Sequence, residues 1–147
     1  MLSPTLYQAE EMSDRAASGS ELAGLRVLVV DDEPDTLEII SIVLRRSGAQ
    51  VRAVSSSADA LEAFLEWKPD LLVSDLGMPG EDGFALISQI RALAPEQGSG
   101  IPAAALTAYV REEDRLQALA AGYQAHIPKP VDPTALVAAV AGLAKRA

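Results

Sequence analysis

Apolar and polar positions follow two patterns that alternate along most of the chain. Short runs that are almost wholly apolar, such as residues 26–30 and 71–74, are typical of strands buried on both faces of a sheet. Between such runs lie longer stretches with apolar residues at helical spacing, as at Leu37, Ile40 and Leu44. The two patterns alternate five times, which predicts five β–α units.

Turn and cap residues set the bounds of these units. Pro34 suits a first helical turn, and Gly48 suits a helix end. Ser57 is predicted to cap the second helix, and Asp132 the fifth, with Pro133 at its first position. The predicted strands are 26–30, 50–54, 71–74, 101–106 and 123–127, and the predicted helices are 33–47, 57–67, 84–93, 111–121 and 133 onwards.

Strict alternation of strands and helices predicts an α/β fold. We expect a doubly wound parallel sheet of five strands in the order 2-1-3-4-5, with helices on both faces and right-handed crossovers. Residues 1–23 are rich in Ser, Ala and Glu and lack a sustained apolar stripe. They are predicted to be a tail or linker, and 24–147 to be the domain.

Composition narrows the function classes. Of the 147 residues, 49% are hydrophobic and 22% are charged, as expected for one folded domain. The net charge of −9 argues against direct nucleic-acid binding, which depends on Lys and Arg. No apolar run approaches the roughly 20 residues of a membrane span, so we expect no membrane insertion. The absence of cysteine excludes thiolate metal sites and suits a cytoplasmic location.

Polar residues follow four of the predicted strands. Asp31 and Asp32 follow the first strand, Asp75 the third, Thr107 the fourth and Lys129 the fifth. Parallel strands end at one edge of the sheet, where ligands of such folds bind. Any one of these residues alone fits a solvated strand end or a helix cap, but packing explains none of them. Together they predict a functional site.

The chemistry of these residues suggests a phosphoryl group and a metal ion. Clustered carboxylates repel one another unless a cation is present, and oxygen ligands without Cys, beside a lone His126, favour Mg²⁺ over Zn²⁺. A lysine and a hydroxyl group suit phosphoryl oxygens. A carboxylate can also be the nucleophile and form an acyl phosphate.

Four segments carry a resemblance to a known family. They are residues 29–33, 75–83, 106–109 and 129–130, which read VVDDE, DLGMPGEDG, LTAY and KP. In this order and spacing they resemble the receiver domain of response regulators in two-component signalling. The resemblance covers about residues 24–146. It implies a flavodoxin-like fold and a phosphorelay function.

The resemblance also implies roles for single residues. Asp75 resembles the phosphoacceptor, which takes its phosphoryl group from a phosphohistidine of a histidine kinase or phosphotransfer protein. It also resembles a Mg²⁺ ligand, together with Asp32 and the backbone carbonyl of Gly77. Asp31 resembles a ligand that acts through a water molecule.

Further positions match residues of the family that bind the phosphoryl group or change conformation on phosphorylation. Lys129 resembles the lysine that pairs with the phosphoryl oxygens, and Pro130 follows a peptide bond that is cis in the family. Thr107 and Tyr109 resemble the switch hydroxyl and the switch aromatic. Partners would read the state on the face of the fourth helix, fifth strand and fifth helix. The residues at Gly77 and Tyr109 vary in the family, so the phosphoryl lifetime stays open.

Two other functions fit these residues less well than a receiver does. A phosphatase or phosphotransferase of the haloacid dehalogenase family has its nucleophile after the first strand and a second Asp two residues on, where this chain has Glu33. A pseudo-receiver that only binds a partner would not need every signature residue. His126 is interpreted as structural. Both alternatives are therefore disfavoured.

The larger context is open at this stage. Nothing after Ala147 predicts an output domain, so we expect a stand-alone receiver or the receiver of a hybrid histidine kinase. Enzymatic activity would be limited to its own aspartyl phosphorylation and dephosphorylation, with kinase activity only in a hybrid kinase. The sequence does not name the downstream effector, and it leaves a homodimer open.

Overall fold

The computed structural model describes residues 21–77, 82–108 and 112–145. In this part of the chain, five strands form one parallel sheet in the order 2-1-3-4-5, which confirms the predicted fold. The strands are β1 Arg26–Val30, β2 Gln50–Val54, β3 Leu71–Asp75, β4 Ala103–Thr107 and β5 Ala125–Pro128. The helices are α1 Pro34–Arg46, α2 Ser57–Trp67, α3 Gly83–Arg91, α4 Glu112–Ala121 and α5 Pro133–Ala144, with a 3₁₀ turn at Pro95–Gln97.

Both faces of the sheet are covered by helices. Successive side chains of a strand point to opposite faces, so each central strand contributes side chains to a hydrophobic core on each side of the sheet. Leu28 and Val30 of β1 pack with residues of α2, α3 and α4. Val27 and Val29 pack with residues of α1 and α5. No helix in the described residues is long and apolar enough to cross a membrane.

Most predicted caps are confirmed. Asp132 accepts a hydrogen bond from a backbone amide in the first turn of α5, where Pro133 is the first residue. Pro34 begins α1, and Gly48 follows its end with φ +102°. The predicted cap at Ser57 is wrong. Ser56 is the extended N-cap residue whose Oγ accepts the amide hydrogen bond, and Ser57 is already helical and buried.

The last two strands begin later than predicted. β4 begins at Ala103 because Pro102 has no N–H group to donate to the sheet. β5 begins at Ala125, two residues after the predicted start at Tyr123. The amide of Tyr123 instead donates to a carbonyl of α4, so this residue belongs to the turn that ends the helix. The predicted start of the fourth helix at Arg111 lies outside the described residues.

The packed part of the described chain reaches back to Leu22. Its side chain is fully buried in the core beside α1 and α5, and its amide donates to the carbonyl of Ser47 at 2.9 Å. The turn that holds Leu22 leads directly into β1.

The register of the sheet brings the predicted site residues to one edge. Val30, the last residue of β1, pairs with Ser74, one residue before the end of β3. Asp75 pairs with Leu106, and Thr107 pairs with Pro128. The residues that follow β1 and β5 therefore meet the last residues of β3 and β4.

Candidate functional site

Three carboxylates meet at the carboxyl edge of the sheet. Asp31 follows β1 and is fully buried, Asp32 is exposed, and Asp75 ends β3 with 6% of its surface exposed. One oxygen of each carboxylate lies within 4.8 Å of one oxygen of each of the others. We call Asp31, Asp32 and Asp75 the acidic cluster.

Lys129 supplies positive charge to this cluster. Its Nζ lies 3.0 Å from Oδ2 of Asp31, 3.0 Å from Oε1 of Glu33 and 3.5 Å from Oδ2 of Asp75. Burial lowers the pKa of Lys129, but its hydrogen bond to Glu33 and the charges of the two aspartates raise the pKa more. Lys129 therefore stays protonated, and it lowers the pKa of Glu33 in turn.

The negative charge of Asp75 is only partly compensated by its neighbours. Its Oδ1 accepts a hydrogen bond from the amide of Gly77 at 3.2 Å. Burial raises the pKa of Asp75, and the charge of Asp31 raises it further, while the amide of Gly77 and Lys129 lower it. The net pKa lies above that of a free aspartate, so the ionised carboxylate is held at an energetic cost.

The donor set fits Mg²⁺. Oδ1 of Asp31 accepts from the amide of Glu33, whereas its buried Oδ2 has no hydrogen-bond partner among the described residues. Oδ2 instead forms an ion pair with Nζ of Lys129 at 3.0 Å. One lysine beside three clustered carboxylates leaves net negative charge, which suits a hard cation.

A cleft of about 420 Å³ opens above the acidic cluster. Its walls include Asp32, Asp75, Gly77, Thr107 and Lys129, so the structure brings these predicted residues together. Among the described residues of its wall are a lysine and a hydroxyl group, and the cleft has room for a phosphoryl group next to Asp75.

Three further residues that the sequence analysis discussed are Pro130, Tyr109 and His126. The peptide bond between Lys129 and Pro130 is cis, as the resemblance implied. Tyr109, the predicted switch aromatic, lies outside the described residues. His126 is half-buried in β5 and does not line the cleft, so its structural interpretation stays a prediction.

The sequence analysis gave no role to Glu33. This exposed residue pairs with Lys129 at the mouth of the cleft. Its position directly after the two aspartates was the available signal. Phe84, Asp114 and Gln117 also line the cleft, and they come from helices whose approach to the strand ends is not evident from local patterns.

Known proteins resemble this chain over most of its length. Residues 27–141 match the family model of the response regulator receiver domain. An uncharacterized 14.6 kDa protein of Leptolyngbya boryana is 46% identical over 79% of this chain and 87% of its own length. The transcriptional regulatory protein GltR of Pseudomonas aeruginosa is 36% identical over 84% of this chain, which spans only 50% of that protein.

Solved structures agree with the sequence matches. The crystal structure of a putative response regulator from Chloroflexus aurantiacus superimposes with a TM-score of 0.78 at 31% identity. The match covers 83% of this chain and 98% of that protein. The matched region contains the acidic cluster, Thr107 and Lys129. This chain therefore belongs to the response regulator receiver domain family.

Proposed function

We propose that this receiver domain accepts a phosphoryl group on Asp75 from a phosphohistidine in a reaction that needs Mg²⁺. The supporting observation is the placement of Asp75, which is buried at the end of β3 beside two aspartates, with Nζ of Lys129 at 3.5 Å. An ionised carboxylate in this position can act as a nucleophile and form an acyl phosphate.

In the proposed reaction an oxygen of Asp75 attacks the phosphorus atom. The new O–P bond forms as the P–N bond to the donor histidine breaks, and the histidine nitrogen keeps the electron pair and takes up a proton. Positioning and charge neutralisation supply nearly all of the catalysis in such transfers. Lys129, which already faces Asp75, would pair with the phosphoryl oxygens.

The metal site of this proposal consists of Asp32, Asp75 and the carbonyl of Gly77, with Asp31 acting through water. When bound, Mg²⁺ would neutralise the carboxylates and the phosphoryl oxygens. Thr107, at the wall of the cleft, would donate its hydroxyl to the phosphoryl group. Together with Tyr109 it would switch the face formed by α4, β5 and α5 by shifting an existing equilibrium.

A protein is the favoured phosphoryl donor. Ile39 on α1 is 50% exposed, and it lines an open hollow with Pro130 and Val131 next to the cleft. Lys129 borders both the cleft and the hollow. An apolar rim beside a charged centre suits a docked protein surface, such as that of a histidine kinase or phosphotransfer protein.

The proposal covers both larger contexts considered above, a stand-alone receiver and the receiver of a hybrid histidine kinase. In either, the reaction takes place in the cytoplasm, and the chain's own chemistry is limited to gaining and losing the phosphoryl group. Any homodimer would form through the face of α4, β5 and α5.

Intact mass spectrometry with acetyl phosphate tests the proposal. The wild-type protein should gain one phosphoryl group in the presence of Mg²⁺ and none after chelation. Asp75→Ala should gain none, whereas Asp59→Asn on the surface of α2 should behave as the wild type does. A folded wild-type protein that gains no mass with Mg²⁺ would reject the proposal and favour a pseudo-receiver.

A further inference from the structure

Tyr123 lies near the phosphorylation site although it belongs to the turn between α4 and β5. Its ring is 2% exposed and packs in the core with residues of α2 and α3. Its hydroxyl donates to the carbonyl of Gly83 at 2.7 Å, a contact between residues 40 positions apart. Burial raises the pKa of Tyr123, so the hydroxyl keeps its proton.

Gly83, the residue that Tyr123 holds, is pressed against the backbone of Asp75. A Cβ atom built on Gly83 would lie 2.3 Å from the carbonyl oxygen of Asp75, a distance that real Cβ atoms do not show. The first residue of α3 therefore touches the last residue of β3 directly. Any shift of α3 along or away from β3 changes the surroundings of Asp75.

Ser74 completes this arrangement. Its hydroxyl donates to the carbonyl oxygen of Asp75 at 3.2 Å. The backbone of Asp75 is thus fixed on one side by Gly83, which Tyr123 holds, and on another by Ser74. We call Ser74, Gly83 and Tyr123 the backbone clamp.

We infer that Tyr123 is a positioning residue for the phosphorylation of Asp75. It acts through Gly83 and sets where the start of α3 lies against the end of β3. The segment from Asp75 to Gly83 also carries Gly77, whose amide holds Oδ1 of Asp75. The clamp therefore fixes Asp75 and Gly83, the two ends of this segment. This inference rests on the proposed function of Asp75.

Two matched variants test the inference. Tyr123→Phe keeps the ring and removes only the hydroxyl. Ile90→Val is the control, because Ile90 lies in the same core, near the far end of α3, and its loss of a methyl group lowers stability without touching Gly83. Ser74→Ala removes the hydroxyl that donates to the carbonyl oxygen of Asp75 and tests the second bond to this backbone.

The main readout is the maximal rate of phosphorylation by acetyl phosphate at saturating Mg²⁺, measured at a temperature where all variants are folded. Tyr123→Phe should be roughly 2- to 10-fold slower than the wild type, the range that one hydrogen bond can contribute. Ser74→Ala should be slower too, and Ile90→Val should keep the wild-type rate. Amide NMR signals of residues 75–77 should move in Tyr123→Phe and not in Ile90→Val.

An unchanged rate in Tyr123→Phe overturns the inference, whatever happens to its melting temperature or its spectrum. If Tyr123→Phe does not fold at that temperature, the rates are compared at a lower temperature where it folds, and an unchanged rate there has the same meaning. If the wild-type protein takes up no phosphoryl group, the proposed function fails instead. The signals of residues 75–77 then decide alone whether Tyr123 positions the end of β3.

Discussion

Two charged regions of this receiver domain differ in how their charges are compensated. Around Trp67, Arg26 and Arg52 lie 5.7 and 5.3 Å from the ring centroid. Arg52 pairs with the exposed Glu66, and Asp70 accepts the amide of Arg26. We call these five residues the Trp67 cluster. In the acidic cluster Asp31 and Asp75 are buried, and these two carboxylates share Lys129 with the exposed Glu33.

The difference separates structural charges from functional ones. In the Trp67 cluster each charge has a partner or remains in contact with water, so its ion pairs contribute little to the stability of the fold. In the acidic cluster burial raises the pKa of Asp75 and leaves one oxygen of Asp31 without a hydrogen bond among the described residues. Such an arrangement costs stability, and binding of a cation would relieve that cost.

Removal of the lysine should have the largest effect. Lys129→Gln should slow phosphorylation by acetyl phosphate about 100-fold or more, because the charge that faces Asp75 and the phosphoryl oxygens is lost. Arg52→Gln in the Trp67 cluster should leave the rate unchanged. The rates are measured by intact mass at saturating Mg²⁺. A Lys129→Gln rate close to that of the wild type would contradict the role given to Lys129.

Substitution of the apolar rim should separate protein donors from small donors. Ile39→Asp should slow transfer from a phosphorylated histidine kinase or phosphotransfer protein roughly 10-fold, the effect of losing an apolar contact worth about 1–2 kcal/mol. Its rate with acetyl phosphate should stay unchanged. Leu65→Asp, at a similarly exposed position on α2, serves as the control in the same transfer assay. Equal rates for Ile39→Asp and the control would place the docking surface elsewhere.

Neutralisation of Asp75 should stabilise the metal-free protein. Burial raises the pKa of Asp75, so the folded protein binds this proton more tightly than the unfolded chain does. The ionised form therefore costs stability at neutral pH, and the cost fades as the pH falls through the raised pKa of the folded protein and is gone below about 4, the ordinary pKa of aspartate. Asp75→Asn should raise the melting temperature at pH 7 by about 3–5 °C, the shift that ~1 kcal/mol produces.

Two conditions sharpen this stability prediction. The gain of Asp75→Asn should shrink at low pH, and it should also shrink when Mg²⁺ stabilises the wild type. Asp70→Asn in the Trp67 cluster should show no gain, because Asp70 accepts a hydrogen bond from the amide of Arg26. A melting temperature of Asp75→Asn below that of the wild type at pH 7 without Mg²⁺ would show that the carboxylate is not held at a cost.

Local sequence patterns predicted most of the fold because most strands and helices are marked by their own apolar runs, caps and turn residues. β1 and β3 are continuous apolar runs, and α5 has its cap and its proline in the expected places. The cap of α2 was placed on Ser57 instead of Ser56 because two adjacent serines offer the same chemistry. The start of β5 was predicted two residues too early because an aromatic residue such as Tyr123 is typical of strands. Its amide instead donates to a carbonyl of α4 and ends that helix.

The part of the site that consists of residues at strand ends could be predicted from the sequence. Asp31, Asp32, Asp75, Thr107 and Lys129 each follow or end a strand, and the topology brings strand ends together. The pairing of Lys129 with Glu33 and the bond from Tyr123 to Gly83 were not predicted, because each joins residues far apart in sequence. Only the packed structure places such partners side by side.

Location of the phosphoryl group tests the central claim most directly. The protein is incubated with acetyl phosphate and Mg²⁺, the acyl phosphate is reduced with borohydride, and the modified residue is identified by peptide mass spectrometry. The account predicts modification at Asp75 alone, with none in Asp75→Asn. Modification at Asp31 or Asp32 with Asp75 intact, or no acyl phosphate in a folded protein, would contradict it.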